Sequence, residues 1–158
     1  MEKYFKKSNF IFWQKWLFYS SLLFAFYGIV FAFYGNNLLF IPYNKMLAVI
    51  FWHSAQFPSE ADSFRAFIYG PLGGTITCCY LLLAFIARYP FKEKQRWSRN
   101  AIIVAFSVWV IIDSSVCVYF GVYPQIYIIN VFSITVKALP IIFTWKDFRQ
   151  TVKSETII

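Results

Sequence analysis

Four long apolar stretches take up most of this chain. They cover residues 16–35, 66–87, 100–120 and 125–145. A helix needs about 20 apolar residues to cross the hydrocarbon core of a bilayer. Only 14% of the residues are charged, whereas a soluble domain has about a quarter. The sequence therefore predicts an all-α fold, a bundle of four transmembrane helices that forms one integral membrane domain over residues 1–158.

The positive charges are concentrated between and outside these stretches. Twelve of the fifteen Lys and Arg residues lie before the first stretch, between the second and the third, or after the fourth. With four spans, these three segments fall on one side of the membrane, and the positive-inside rule places both termini in the cytoplasm. The net charge of +8 is then explained by topology and by contact with anionic membrane lipid, so we expect no nucleic-acid partner. The abundance of Phe, Tyr, Ile, Lys and Asn is typical of an AT-rich bacterial genome, which makes the bacterial inner membrane the expected location.

The connector between the first two spans contains a further apolar segment. Residues 44–57 are apolar but too short to span, and they predict an interfacial helix on the outer side of the bundle. The second span then carries small residues at every fourth position, Gly70, Gly74 and Cys78. Such a ridge predicts close packing of another helix, either within the chain or in a homo-oligomer or larger membrane complex.

Polar residues form a stripe along the fourth span. Spacings of 3 and 4 residues place them on one helical face, which should point at protein or water and not at lipid. The stripe comprises Asn130, Ser133, Lys137, Pro140 and Thr144.

Asp113 lies in the apolar run VWVIIDSSVCVYF of the third span, and Lys137 is its best partner. Counted from the turn between the two spans, their depths differ by about 6 Å, which a lysine side chain can cover. We therefore expect an Asp113–Lys137 pair. Three roles stay open for it: fixing helix register, orienting a ligand, or coupling to protons or ions. The ligand-site interpretation brings together Asp113, Lys137, Asn130, Ser133, Trp109 and Tyr27.

The sequence lacks the patterns of common metal and catalytic sites. His53 is the only histidine, so one chain cannot build a bis-His haem or a His-rich metal site. Phosphate-binding, dinucleotide-binding and hydrolase motifs do not occur. We expect no metal, no cofactor and no catalytic residue.

From the second span onward, the chain resembles small uncharacterised four-helix integral membrane proteins of bacteria. The resemblance is carried by YGPLGG in the second span, the loop PFKEKQRW, WVIID in the third span, and GVYPQIYIIN and ALP toward the fourth. It implies the four-span topology and no activity. The order of one span, an interfacial helix and three more spans is also similar to that of sterol-binding proteins of the sigma-2 receptor and sterol-isomerase type.

These observations predict a non-enzymatic membrane protein that binds a lipid-like ligand, such as an apolar small molecule, or is a subunit of a membrane complex. One alternative is a small proton-coupled transporter that uses Asp113 and Lys137. Another is a membrane enzyme, of an isomerase-like kind, that acts on an apolar substrate.

Overall fold

Helices make up most of residues 9–148, the part of the chain that the structure, a computed structural model, describes. The cytoplasmic location predicted for the termini concerns residues 1–8 and 149–158, which lie outside that part. The helices are α1 (Phe10–Tyr34), α2 (Ile41–Trp52, entered through the 3-10 turn Leu38–Phe40), α3 (Ser59–Arg88), α4 (Arg96–Tyr119) and α5 (Tyr123–Thr144). Within α5, Ile126–Asn130 is π-helical.

The predicted all-α fold with four apolar helices is confirmed. Helices α1, α3, α4 and α5 are long and apolar enough to cross a bilayer, and they coincide with the four predicted stretches. Helices α1, α3 and α4 begin before their predicted apolar stretches, at Phe10, Ser59 and Arg96.

The four long helices expose large apolar side chains on their outer faces. Examples are Leu23, Phe33, Phe67, Ile111 and Ile128. A surface of this kind is compatible with lipid and would be costly in water. The four helices therefore fit a multi-pass membrane protein.

Contacts at the two ends of the bundle show that α1 runs antiparallel to α3. At one end, Gln14 Nε2 donates a hydrogen bond to the carbonyl of Ala87 at 2.9 Å. At the other end, the rings of Phe31 and Tyr69 lie 4.5 Å apart. We call the first of these ends the basic end, because it holds the positively charged loop 89–95, and the second the connector end, because it holds residues 35–58.

Glycines allow α1 and α3 to approach closely. Gly28 and Gly73 face each other, and a Cβ added at Gly73 would lie 2.7 Å from Ala32 Cβ and against the Gly28 carbonyl. A Cβ added at Gly28 would lie 2.6 Å from Thr77 Oγ1. Larger side chains at these positions would push the helices apart.

Helix α2 differs in its limits from the interfacial helix predicted over residues 44–57. It begins at Ile41, with Pro42 in the first turn, where a missing N–H breaks no helical hydrogen bond. It ends at Trp52, because His53 takes a left-handed backbone conformation with φ of 51°. The prediction that this helix continues to residue 57 is wrong.

Asn44 fixes α2 against the rest of the bundle. Its Nδ2 donates to the Gly35 carbonyl at 2.8 Å, and its Oδ1 accepts a 2.6 Å hydrogen bond from the Tyr69 hydroxyl. Nearby, Phe40 packs on Phe31 with ring centroids 5.3 Å apart. The start of α2 is therefore attached to the connector ends of both α1 and α3.

Candidate functional site

Asp113 lies in a polar cluster between α4 and α5, toward the connector end. Asn130 Nδ2 donates to Asp113 Oδ2 at 2.7 Å and to Ser114 Oγ at 3.1 Å. Gln125 Nε2 lies 3.3 Å and 3.5 Å from the two carboxyl oxygens of Asp113. One turn further along α4, the Cys117 thiol lies 3.6 Å from Oδ2. The carboxyl group therefore has partners on both helices of the hairpin.

The π-helical segment explains why Gln125 and Asn130 reach the same carboxyl group. In an α-helix, residues five apart point about 140° away from each other. In a π-helix the hydrogen bonds join residues five apart, so such residues point in more similar directions than they do in an α-helix. Helix α5 is π-helical over Ile126–Asn130, directly between these two amides.

Helix α2 extends the cluster outward through Tyr43. Its hydroxyl donates a 3.2 Å hydrogen bond to Oε1 of Gln125, and Nε2 of the same glutamine faces Asp113. Burial raises the pKa of the Tyr43 phenol above its ordinary value, which keeps the phenol protonated as a donor. A line of polar groups thus runs from α2 through Gln125 to Asp113.

The expected Asp113–Lys137 pair is not formed in the described part of the chain, and that prediction is wrong. Lys137 is 1% exposed, and its Nζ has no hydrogen-bond partner within residues 9–148. Nζ lies 3.7 Å from the ring centroid of Phe24 and 4.8 Å from that of Tyr80. Asn130 contacts Asp113 directly instead, and aromatic rings from α1 and α3 lie against Lys137.

The polar stripe predicted on the fourth span is buried along its whole length. The Tyr80 hydroxyl and Ser133 Oγ are hydrogen-bonded at 2.9 Å, and Thr144 Oγ1 donates to the Pro140 carbonyl at 2.6 Å. Two polar atoms on this face, Asn130 Oδ1 and Lys137 Nζ, are buried without a partner among the described residues. The stripe therefore faces the bundle interior, as its spacing predicted.

A further contact on this face involves a backbone carbonyl freed by Pro140. Proline has no N–H, so the carbonyl of Val136, four residues earlier, cannot form the usual helical hydrogen bond. Trp16 Nε1 donates to this carbonyl at 3.2 Å. Sequence reasoning missed the pair, although a proline within an apolar helix signals that a carbonyl needs another donor.

Two residues assigned to the ligand-site interpretation lie outside the polar cluster. Tyr27 stacks on Phe31 at 6.2 Å and is 42% exposed. Trp109 is half-buried beside Phe106, with ring centroids 6.1 Å apart. Within residues 9–148, neither side chain is hydrogen-bonded to Asp113, Asn130 or Lys137. The structure thus brings Asp113 and Asn130 together, and places Lys137 with Ser133 and Tyr80 deeper in the bundle.

The ridge of Gly70, Gly74 and Cys78, here called the glycine ridge, does not form a helix contact inside the described chain. A Cβ added at Gly70 or Gly74 would meet nothing within 4 Å. The close approach to α1 uses Gly73 instead, one position round the helix. The glycine ridge forms the floor of an open apolar groove of about 590 Å³, and its walls include Ile29 and Phe33 of α1 and Leu81 and Phe85 of α3.

Residues 9–148 contain no group of three or more His, Cys, Asp or Glu side chains placed to hold a metal ion. Comparisons with protein families, with curated proteins and with solved structures return no match for this chain.

Proposed function

We propose that this chain is a non-enzymatic, multi-pass protein of the bacterial inner membrane that works as a subunit of an assembly of identical copies. The charge distribution supports an orientation with both termini in the cytoplasm. The basic end holds Arg88, Lys92, Lys94 and Arg96 in and around one short loop. Short loops rich in Lys and Arg stay on the cytoplasmic side of a membrane.

The observation that carries the proposal is the open glycine ridge. In lipid, helices gain little from apolar burial, so their association depends on close packing at small residues. The groove above Gly70 and Gly74 leaves that packing unused within the described chain. A helix from another subunit can therefore approach α3 there as closely as α1 does at Gly73.

A second copy of the same chain is the partner that we propose for this groove. A two-fold axis sets the glycine ridge of one copy against the same ridge of the other, so each copy supplies the small residues that the other needs. The larger side chains Phe33 and Leu81 on the groove walls then pack beside the partner's α3. The interface is self-complementary, and it requires no further protein.

A bulky substitution on the ridge tests this assembly. We expect Gly74→Leu to weaken self-association at least about tenfold in detergent or vesicles, because the added side chain keeps the two helices apart. Thr75→Leu is the matched control, since Thr75 is exposed on the same turn but does not line the groove. Native mass spectrometry and light scattering measure the subunit number.

Each outcome of this experiment has a clear meaning. A dimer that is lost in Gly74→Leu and kept in Thr75→Leu supports the proposal. A wild-type chain that is monomeric at all concentrations contradicts it, and a tightly retained lipid in the same spectra would then favour a lipid-like ligand in the groove. A dimer that persists unchanged in Gly74→Leu also contradicts it, since the contact would lie elsewhere.

The buried polar stripe favours a second candidate function, proton-coupled transport. The observation behind it is that Asn130 Oδ1 and Lys137 Nζ are buried at membrane depth without a partner among residues 9–148, on the face that also reaches Asp113. Unsatisfied polar groups inside a bundle often border a path for ions or protons.

Reconstituted vesicles with a pH-sensitive dye inside test that candidate. Transport that depends on Asp113 predicts a proton flux driven by a pH gradient in the wild type and its loss in Asp113→Asn, which keeps the shape of the side chain. Equal flux in the two proteins, or no flux in the wild type, rules this candidate out.

A further inference from the structure

A cationic pocket lies at the basic end, between the start of α4 and the end of α5. It has a volume of about 330 Å³ and is lined by Arg96, Arg99, Asn100 and Trp145. Arg99 and Asn100 lie three and four positions after Arg96, so each is its neighbour on the surface of the first two turns of α4. Trp145 follows the last residue of α5 directly.

Packing holds the two arginine side chains at the pocket. Arg99 lies over the indole of Trp145, with Cζ 4.0 Å from the ring centroid, and its Nε and Nη2 donate to Asn100 Oδ1 at 3.2 Å and 3.0 Å. Arg96 Nε donates to the Phe148 carbonyl at 3.0 Å. Guanidinium groups that are already oriented lose less freedom when they bind an anion.

Two acidic residues that flank this pocket in the sequence contact lysine and glutamine side chains. Asp147 Oδ1 lies 4.0 Å from Lys94 Nζ, and Glu93 Oε2 accepts a 2.6 Å hydrogen bond from Gln95 Nε2. Two arginines and an amide therefore line the pocket itself, and no carboxylate belongs to its lining within the described residues. This set of donors matches the oxygens of a phosphate group.

The face of α4 that carries the pocket becomes apolar further along the helix. Four residues beyond Asn100 lies Val104, which is 62% exposed, and Val108 and Ile112 continue the same line as exposed side chains. A phospholipid is complementary to this arrangement. Its anionic headgroup would meet the cationic pocket, and its acyl chains would meet the apolar strip.

We infer that the pocket of Arg96, Arg99, Asn100 and Trp145 binds the phosphate of an anionic phospholipid, whose acyl chains lie along the apolar face of α4. This inference rests on the membrane location in the proposed function, but not on assembly through the glycine ridge. Arginine pairs with phosphate through two parallel hydrogen bonds. Trp145 directly follows the end of a candidate spanning helix, a position where aromatic rings commonly meet headgroups. Anionic lipid on the cytoplasmic side is attracted to basic pockets between helices.

Lipid titration of the purified chain in neutral detergent tests this site. The probes are phosphatidylglycerol, phosphatidylcholine and inorganic phosphate, and native mass spectrometry counts the bound molecules. We expect phosphatidylglycerol to bind at least about tenfold more tightly than phosphatidylcholine, and inorganic phosphate to show no saturable binding, because it lacks the acyl chains. The double variant Arg96→Gln, Arg99→Gln should lose this preference.

Two further variants keep the test decisive. Lys15→Gln with Lys92→Gln removes the same charge from exposed positions outside the pocket lining, and it should keep the preference. Arg96→Lys with Arg99→Lys keeps both charges and protects against a failure to fold, and it should weaken phosphatidylglycerol binding because lysine lacks the planar fork.

Four outcomes would each overturn the inference. They are equal loss in both glutamine variants, full affinity in the lysine variant, equal binding of the two lipids, and tight binding of free phosphate. Because subunit number is read in the same spectra, failure of the lipid site and failure of the ridge assembly remain distinguishable.

Discussion

Lys137 is a basic residue whose amine lies among aromatic side chains. Its Nζ is buried near mid-depth of α5 against the rings of Phe24 and Tyr80, without a hydrogen-bond partner in residues 9–148. Aromatic faces attract a cation, but they do not replace the hydrogen bonds that water gives to an ammonium group. We therefore expect this residue to lower the stability of the bundle.

A substitution by methionine tests the energetic effect of Lys137. Lys137→Met keeps an unbranched side chain of similar size and removes the unpaired polar group. We expect the free energy of unfolding to rise by about 1–3 kcal/mol, as measured by denaturant titration in mixed micelles. Lys45→Met, at an exposed position of α2, should change it by less than about 0.5 kcal/mol. A clear fall in stability for Lys137→Met would show that the amine has a partner that matters.

The spacing of the stripe was sufficient to predict that its own residues are buried, but not the partner of Asp113. Side chains at 3- and 4-residue intervals share a face in any helix that is mostly α-helical, so the burial of Ser133, Lys137 and Thr144 followed directly. The partner depended on which groups lie level with the carboxyl group. Gln125 and Asn130 reach it because of a π-helical turn, and no spacing in the sequence revealed that turn.

At the scale of single helices, two neighbouring glycines on α3 have opposite roles. Gly73 meets α1, where a Cβ would lie 2.7 Å from Ala32 Cβ, whereas a Cβ at Gly74 would meet nothing within 4 Å. We expect Gly73→Ala to lower the free energy of unfolding by about 1–3 kcal/mol through forced separation of α1 and α3. In the monomeric chain, Gly74→Ala should leave it unchanged or raise it by up to about 1 kcal/mol, because alanine favours the helix. Equal effects in the two variants, measured by denaturant titration, would contradict this assignment of the two faces.

The contact between Trp16 and Val136 can be tested through the proline that makes it necessary. In the wild type, Trp16→Phe leaves the Val136 carbonyl without its indole donor, so stability should fall. In a Pro140→Ala background the backbone N–H of residue 140 returns and can bond that carbonyl. A double-mutant cycle should then show a coupling of about 1 kcal/mol between the two positions. Additive effects of the two changes would mean that the indole and the proline act independently.

The existence and type of the long helices were predictable because each is a continuous apolar stretch of sufficient length. The predictions that failed concern local features of the helices. Helix α2 stops at Trp52 because His53 adopts a left-handed backbone, and neither residue is the Gly or Asn that usually marks such a helix end. The small residues of α3 allowed two packing faces, one through Gly73 and one through the neighbouring Gly74 of the glycine ridge. Nothing in their spacing favoured Gly73 as the contact with α1.

At the scale of the whole molecule, the two ends of the bundle and one of its sides differ in chemistry. Among residues 9–148, the basic end carries seven of the ten Lys and Arg residues as well as the cationic pocket, while the connector end holds α2 and the cluster around Asp113. The side formed by α1 and α3 carries the open groove. An assembly through that groove would leave the cationic pocket outside the interface, since the two share no lining residue among those described.

Cross-linking through the chain's own cysteines in native membranes tests the proposed assembly most directly. Cys78 lies on the glycine ridge and lines the groove, whereas Cys79 is exposed but points about 100° away round the helix. With a short bismaleimide reagent, Cys79→Ser should still give a covalent dimer through Cys78, and Cys78→Ser should not. Buried Cys117 stays unchanged in both chains. Equal dimer yields in the two variants, or a dimer only in Cys78→Ser, would contradict assembly through the glycine ridge.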